Sequence, residues 1–199
     1  MLSPILSWDN QGVIPPCPTD PLFATSHPRS PYMVSLVEVV QHFSITTKRI
    51  EILRGFLEYR ARLHAAGLTE GFQWLDGSFL ENKEKMRGED PDDIDVTTFY
   101  HQPIGTTQAT VAASDPLVFG PDGEARKKYF HTHAFLYPLE VSPTRPIERL
   151  LNLSHYWYGV FSHSRRNFIW KGFLQVDLSS VDDTAATALL STLSGGATP

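Results

Sequence analysis

The chain carries a single cysteine, Cys17, so no internal disulfide can brace it. No stretch approaches the roughly 18 consecutive apolar residues of a membrane span, so no membrane-spanning helix is expected. Basic residues are not in excess: 17 lysines and arginines stand against 22 aspartates and glutamates, for a formal net charge of −5. A general duplex-DNA binder needs a broad basic face to neutralise phosphates, so that class is excluded. The start, Met1-Leu2-Ser3-Pro4-Ile5-Leu6, lacks a basic region and a long apolar stretch, and no secretion signal is expected. The expectation is a cytoplasmic protein, whose reducing surroundings suit a lone thiol.

What is present suits one folded domain with flanking segments. Hydrophobic residues make up 41% and charged residues 20% of 199 residues, enough to form a core without a structural metal. Residues 1–32 are rich in proline (Pro4, Pro15, Pro16, Pro18, Pro21, Pro28, Pro31) and read as an extended arm, because proline lacks the amide donor and fixes φ. Residues 33–180 read as the domain and 181–199 as a C-terminal tail. Ser35 and either Ser44 or Thr46 stand as helix caps. Ile50, Leu53, Phe56, Leu57 and Leu63 follow helical spacing, with Lys48, Arg49, Glu51, Arg54, Glu58 and Arg62 on the other face. Gly55 inside that run costs about 1 kcal/mol against alanine. Strands are predicted at 72–75, 94–100, 129–141 and 172–178, and a helix at 146–161. A loop is predicted around Gly120-Pro121-Asp122-Gly123, and an alanine-leucine helix after Asp182-Asp183-Thr184. The fold class is therefore α/β (α+β): a small mixed sheet with flanking helices.

The chemistry concentrates between Trp74 and Val96. A short strand runs into Gly77-Ser78, and Asp93-Ile94-Asp95 opens the next strand. Residues i and i+2 of a strand point to one face, so Asp93 and Asp95 project side by side while Asp92 faces away. Neighbouring carboxylates repel unless a cation sits between them. Mg²⁺ takes one or two carboxylates plus substrate phosphates. Gly77 lets the backbone approach a phosphate, and Ser78 adds donors. These are parts for metal-assisted phosphoryl or nucleotidyl transfer.

Gly77-Ser78 followed by Asp93-Ile94-Asp95-Val96 resembles the signature of the nucleotidyltransferase superfamily typified by DNA polymerase β. Asp76 stands where that signature has a hydrophobic residue, and the 14 residues between Ser78 and Asp93 slightly exceed the usual spacing. The stretches 71–79 and 157–172 look like small bacterial members of the same superfamily. The resemblance implies transfer of a nucleoside monophosphate from an NTP, such as ATP, to a hydroxyl acceptor, with Mg²⁺ on Asp93 and Asp95. It implies nucleotide contacts at Gly77 and Ser78, and the acceptor could be a protein, an RNA end or a small molecule. It also implies a place in a toxin–antitoxin or phage-defence pair.

The superfamily adds a third acidic residue from a later strand. Asp177, on the face shared with Phe173 and Gln175, competes for that role with His133, on the strand that follows the paired carboxylates. An imidazole there weakens Mg²⁺ binding, and brings a proton acceptor in place of a hard oxygen. His131 and His133 share a face of the predicted strand and suggest a transition-metal pair, although two ligands are not a site. Arg165, Arg166 and Lys171 suit triphosphate oxygens, and Phe168 and Trp170 beside them suit a base. The alternative is a catalytically degenerate protein of the same fold, acting as a partner-binding or antitoxin module.

Overall fold

A computed structural model describes residues 4–17, 29–140 and 146–195. Pro18, Pro21 and Pro28 of the arm, Val141 of the predicted third strand, and Gly196 lie outside the described residues. Strand β1 (Tyr32–Met33) leads into helices α1 (Leu36–Phe43) and α2 (Thr47–Ala65). Then come β2 (Gly71–Asp76), a 3₁₀ turn (Ser78–Leu80), α3 (Lys83–Arg87) and β3 (Ile94–Tyr100). Helices α4 (Gln108–Ser114), α5 (Pro116–Phe119) and α6 (Gly123–Phe130) precede β4 (Thr132–Pro138). The chain continues through α7 (Pro146–Phe161), β5 (Leu174–Asp177) and α8 (Asp183–Gly195).

The helices begin where side chains can replace missing backbone partners. Ser35 and Glu38 form a reciprocal capping box on α1, and Thr46 accepts the Arg49 amide at the start of α2. Helices α4, α5 and α6 start on Thr107, Asp115 and Asp122, each accepting amides of its own first turn. They occupy the region expected as loop, and α6 takes up Tyr129 and Phe130, so β4 starts later than expected. The Pro138 amide position ends β4, which is an edge strand where a missing donor is tolerated.

The five strands form a mixed sheet in the order β1-β5-β2-β3-β4, so the fold is α+β with flanking helices, as expected. Strand β2 runs antiparallel to β3 and β5, and β4 runs parallel to β3 across the α4–α6 crossover. The register sorts the side chains by face. Gln73, Leu75, Val96 and Ala134 alternate toward α2, which packs against α1, α6 and α8. Phe72, Trp74, Phe99, Phe135 and Tyr137 form an aromatic strip on the opposite face, where Trp157 of α7 packs on Phe135 and Tyr137. At its far end the same face turns polar, at Asp76, Asp95 and His133.

Two expectations need correction. Arg49 does not face solvent but is fully buried, because it donates at 2.6 Å to the carbonyls of both Phe79 and Glu81 and pairs with Glu84. Gly55 is no simple cost to α2: a Cβ there would run into the Phe130 carbonyl, so the close approach of α6 requires glycine. The described parts of the arm and of the tail pack on the domain, an outcome left open for the arm. Ile14 is buried and its carbonyl accepts the Gly172 amide at 2.6 Å, while α8 buries Ala186 and Leu190 and its Asp183 pairs with buried Arg60.

Candidate active site

The site starts where β2 ends. Gly77 has φ 88° and ψ −171°, a conformation open essentially to glycine alone. A Cβ on it would stand 2.6 Å from Asp95 Oδ2, so glycine also makes room for that carboxylate. Ser78 opens the short 3₁₀ turn, whose far side is held from the core by Arg49.

Cross-strand register then sets three functional groups in a row. Asp76 on β2 is opposite Asp95 on β3, and Asp95 is opposite His133 on β4. His133 Nδ1 lies 2.9 Å from Asp95 Oδ1, and an Arg165 guanidinium nitrogen lies 3.3 Å from Asp95 Oδ2. Asp93, one step before β3, meets Lys127 of α6 at 2.9 Å, a bond that holds the Lys127 ammonium above its ordinary pKa. Asp93, Asp95 and His133 each offer a ligand atom, and these atoms all lie within 4.8 Å of one another. Asp92 faces outward toward Lys83, as alternation predicts.

Behind this row lies a buried charge cluster. Lys171 Nζ donates to Glu81 Oε1 and to the Gly77 carbonyl, both at 3.2 Å. It also stands 3.0 Å from Asp76 Oδ1, at an angle outside hydrogen-bond geometry, so this contact is ionic. Burial pushes the Asp76 carboxyl up to about 7, against the pull of the Lys171 ammonium and the Gly77 amide, while Asp95 pushes it further up. Burial alone would lower Lys171, but the carboxylates of Asp76 and Glu81 overcome it and hold its pKa above the ordinary value.

These groups line one cleft of about 230 Å³, where the carboxylates of Asp76, Glu81, Asp93 and Asp95 face the cations Arg87, Lys127, Arg165, Arg166 and Lys171. The fold thus brings together Gly77, Ser78, Asp93, Asp95, His133, Arg165, Arg166 and Lys171 from the sequence-predicted set. Asp177 is the exception. Alternation gives it the expected face, but it pairs with Phe72 at the opposite end of β2, about 13 Å along the strand from the level of Asp95. Its carboxylate accepts the Ser179 amide at 2.6 Å, so it completes nothing at this site. Lys171 needs correction as a free phosphate ligand, because it is buried and committed to Asp76, Glu81 and Gly77. Contrary to expectation, His131 does not share a strand face with His133: it is the left-handed C-cap of α6, before β4 begins, and lines a shallow surface with Glu51, Arg54 and Tyr129.

Sequence reasoning left out Asp76, Glu81, Lys127 and His163 as site residues, and favoured a solvated loop over a phosphate contact for Arg87. Asp76 had a usable signal, since it alternates with Trp74 on β2 and a carboxylate ending an aromatic strand face is unusual. Lys127 had none, because it arrives on a helix expected as loop.

The chain belongs to DUF6932, a family of unknown function whose model matches residues 6–177. No curated protein and no solved structure matches it. Among the described residues, no helix is long and apolar enough to cross a membrane.

Proposed function

We propose that this cleft is a metal-dependent nucleotidyltransferase site, moving a nucleoside monophosphate from an NTP to an acceptor hydroxyl. The observation that carries the reading is the convergence of Asp93, Asp95 and His133, from adjacent strands, with ligand atoms within 4.8 Å beside the Gly77-Ser78 turn. The donor set fits a divalent cation: two carboxylates suit Mg²⁺, and the imidazole shifts the preference toward Mn²⁺, which accepts both donor types. Such a cation would neutralise phosphate charge and polarise the phosphoryl group. The protein's own part is positioning and charge. Ser78 would offer its hydroxyl to a phosphate oxygen at the Gly77 turn, where absence of a Cβ permits close approach. Arg87, Arg165 and Arg166 would pair with the polyphosphate, guanidinium forks being suited to its oxygens. His133, oriented by its Asp95 bond, would complete the cation's ligand set, and the acceptor's proton would pass to water. In this reading the protein acts in the cytoplasm, as one half of a toxin–antitoxin or defence pair.

One observation favours a second reading. Lys127 already pairs with Asp93, and Arg165 with Asp95, so the acidic pair is balanced by the chain itself. A site so balanced is what a degenerate, partner-binding version of the fold would have. Calorimetric titration of ATP and GTP, with and without Mg²⁺ or Mn²⁺, separates the two. Metal-dependent binding that disappears in Asp93→Ala/Asp95→Ala is the expected result. A folded wild type that binds neither nucleotide under any metal condition overturns the enzyme reading in favour of the partner module.

A further inference from the structure

Residues 162–171 leave α7, turn and re-enter the core as a hairpin. The Lys171 amide donates to the Ser162 carbonyl at 2.8 Å, and the Ser164 amide to the Ile169 carbonyl at 2.9 Å, while His163 pairs with Trp170. The base of the hairpin is fixed, since Ser162, Ser164 and Lys171 are buried. Its tip hangs at the cleft, with Arg165 on Asp95 and Arg166 in the cleft wall.

The two aromatics of this hairpin differ. The Trp170 ring is covered by the Arg29 guanidinium at 5.2 Å from its centroid. Phe168 is 80% exposed and has φ 55°. A bulky residue rarely adopts that left-handed conformation, and an open phenyl ring gains nothing from water. Among the described residues no ring or cation is recorded against it. The left-handed backbone closes the turn, since the Phe168 amide donates to the Ser164 carbonyl at 2.9 Å, but the exposed ring itself has no return within the fold. Phe168 lies three positions after Arg165 on this one tight turn, so the ring and the two guanidinium groups belong to the same hairpin tip.

We propose that the tip of this hairpin is a nucleobase subsite, in which Arg165 and Arg166 hold phosphate and Phe168 stacks the base of a nucleoside phosphate. The proposal rests on the nucleotidyl-transfer reading of the cleft, and deepens it by naming what selects a base-bearing ligand. The base could belong to the NTP or to the end of an RNA acceptor, and the chemistry of recognition is the same.

The test is a titration of wild type, Phe168→Gly and Phe168→Trp with tripolyphosphate, ATP and a short single-stranded RNA, each with Mn²⁺. Glycine suits the backbone at this position, so the variant is expected to melt no lower than wild type. The expected result is that a base-bearing ligand binds wild type roughly tenfold or more tighter than tripolyphosphate. Phe168→Gly removes that margin without changing tripolyphosphate affinity, and Phe168→Trp restores it. A loss confined to ATP assigns the base to the NTP, and a loss confined to RNA assigns it to the acceptor. The proposal is overturned if Phe168→Gly binds both like wild type, or if neither binds tighter than tripolyphosphate. Tripolyphosphate binding that needs metal and both Asp93 and Asp95 would then leave the transfer site standing, whereas its absence would remove both readings.

Discussion

Replacing Gly77 by alanine tests the geometric core of the site with one methyl group. Two effects add. At φ 88° and ψ −171° the backbone lies in a region essentially reserved for glycine, where another residue costs about 1–3 kcal/mol. The new Cβ would also stand 2.6 Å from Asp95 Oδ2 and 3.1 Å from its Cγ, so the carboxylate must move. Overpacking of this kind costs about 1–3 kcal/mol more. The sum, about 2–6 kcal/mol, is a large share of a domain's stability. Gly88 supplies the control. It is a left-handed C-cap with φ 68°, and a Cβ there meets nothing within 4 Å. Gly88→Ala therefore carries only a backbone cost of about 1–2 kcal/mol.

Urea denaturation gives the two stability losses, and calorimetric Mn²⁺ titration gives the second readout. Gly77→Ala should lose more stability than Gly88→Ala and should lose metal binding, because the displaced group is a ligand in the proposed site. Gly88→Ala should keep it. Equal stability losses, with Mn²⁺ affinity intact in Gly77→Ala, would refute the claim that Gly77 exists to seat Asp95.

Two further changes probe the groups beside it. In metal-free protein, Asp76 ionises near pH 3.9 when unfolded but stays protonated to about 7 when folded, so the folded state holds the extra proton in between. Stability should fall as pH rises through that window, by up to about 1.4 kcal/mol per pH unit, and Asp76→Asn should remove this slope in urea titrations at a series of pH values. Stability that instead rises with pH, by an amount Asp76→Asn abolishes, would mean that the Lys171 ion pair outweighs burial. His133→Asp supplies a third carboxylate at the same register position, and should raise Mg²⁺ affinity relative to Mn²⁺ by about tenfold or more. An unchanged Mg²⁺/Mn²⁺ ratio by calorimetry would remove His133 from the ligand set.

Much of this site could be read from strand alternation alone. The period of two put Asp93 and Asp95 together, turned Asp92 outward and gave Asp177 its face. It could not give Asp177 its level along the sheet, because level depends on antiparallel register between β2 and β5, which are separated by about half the chain. The same limit applied to α2. Helical spacing located its apolar stripe, but Arg49 is buried by carbonyls at the 3₁₀ turn, and no helical periodicity announces partners 30 and 32 residues away. Helices α4 to α6 went unread because they are short, with 7, 4 and 8 residues, too few to show a helical period. Each is nonetheless preceded by a capping threonine or aspartate, Thr107, Asp115 or Asp122.

The charges in the cleft fall into two tiers, and the difference bears on how it would work. The inner tier of Asp76, Glu81 and Lys171 is buried and ion-paired through Lys171, so it can fix the turn at Gly77 but has little freedom to exchange partners. The outer tier pairs Asp93 with Lys127 and Asp95 with Arg165, whose side chains are 39% and 75% exposed. Ion pairs that open to water hold loosely, so a divalent cation can replace both lysine and arginine on the carboxylates. The displaced ammonium and guanidinium then stand beside a new positive centre, and relief comes from an incoming polyphosphate. Metal and nucleotide should therefore each tighten the other's binding by the same factor, as linkage requires. A partner-binding module, with its acidic pair permanently answered by Lys127 and Arg165, has no reason to show that reciprocity.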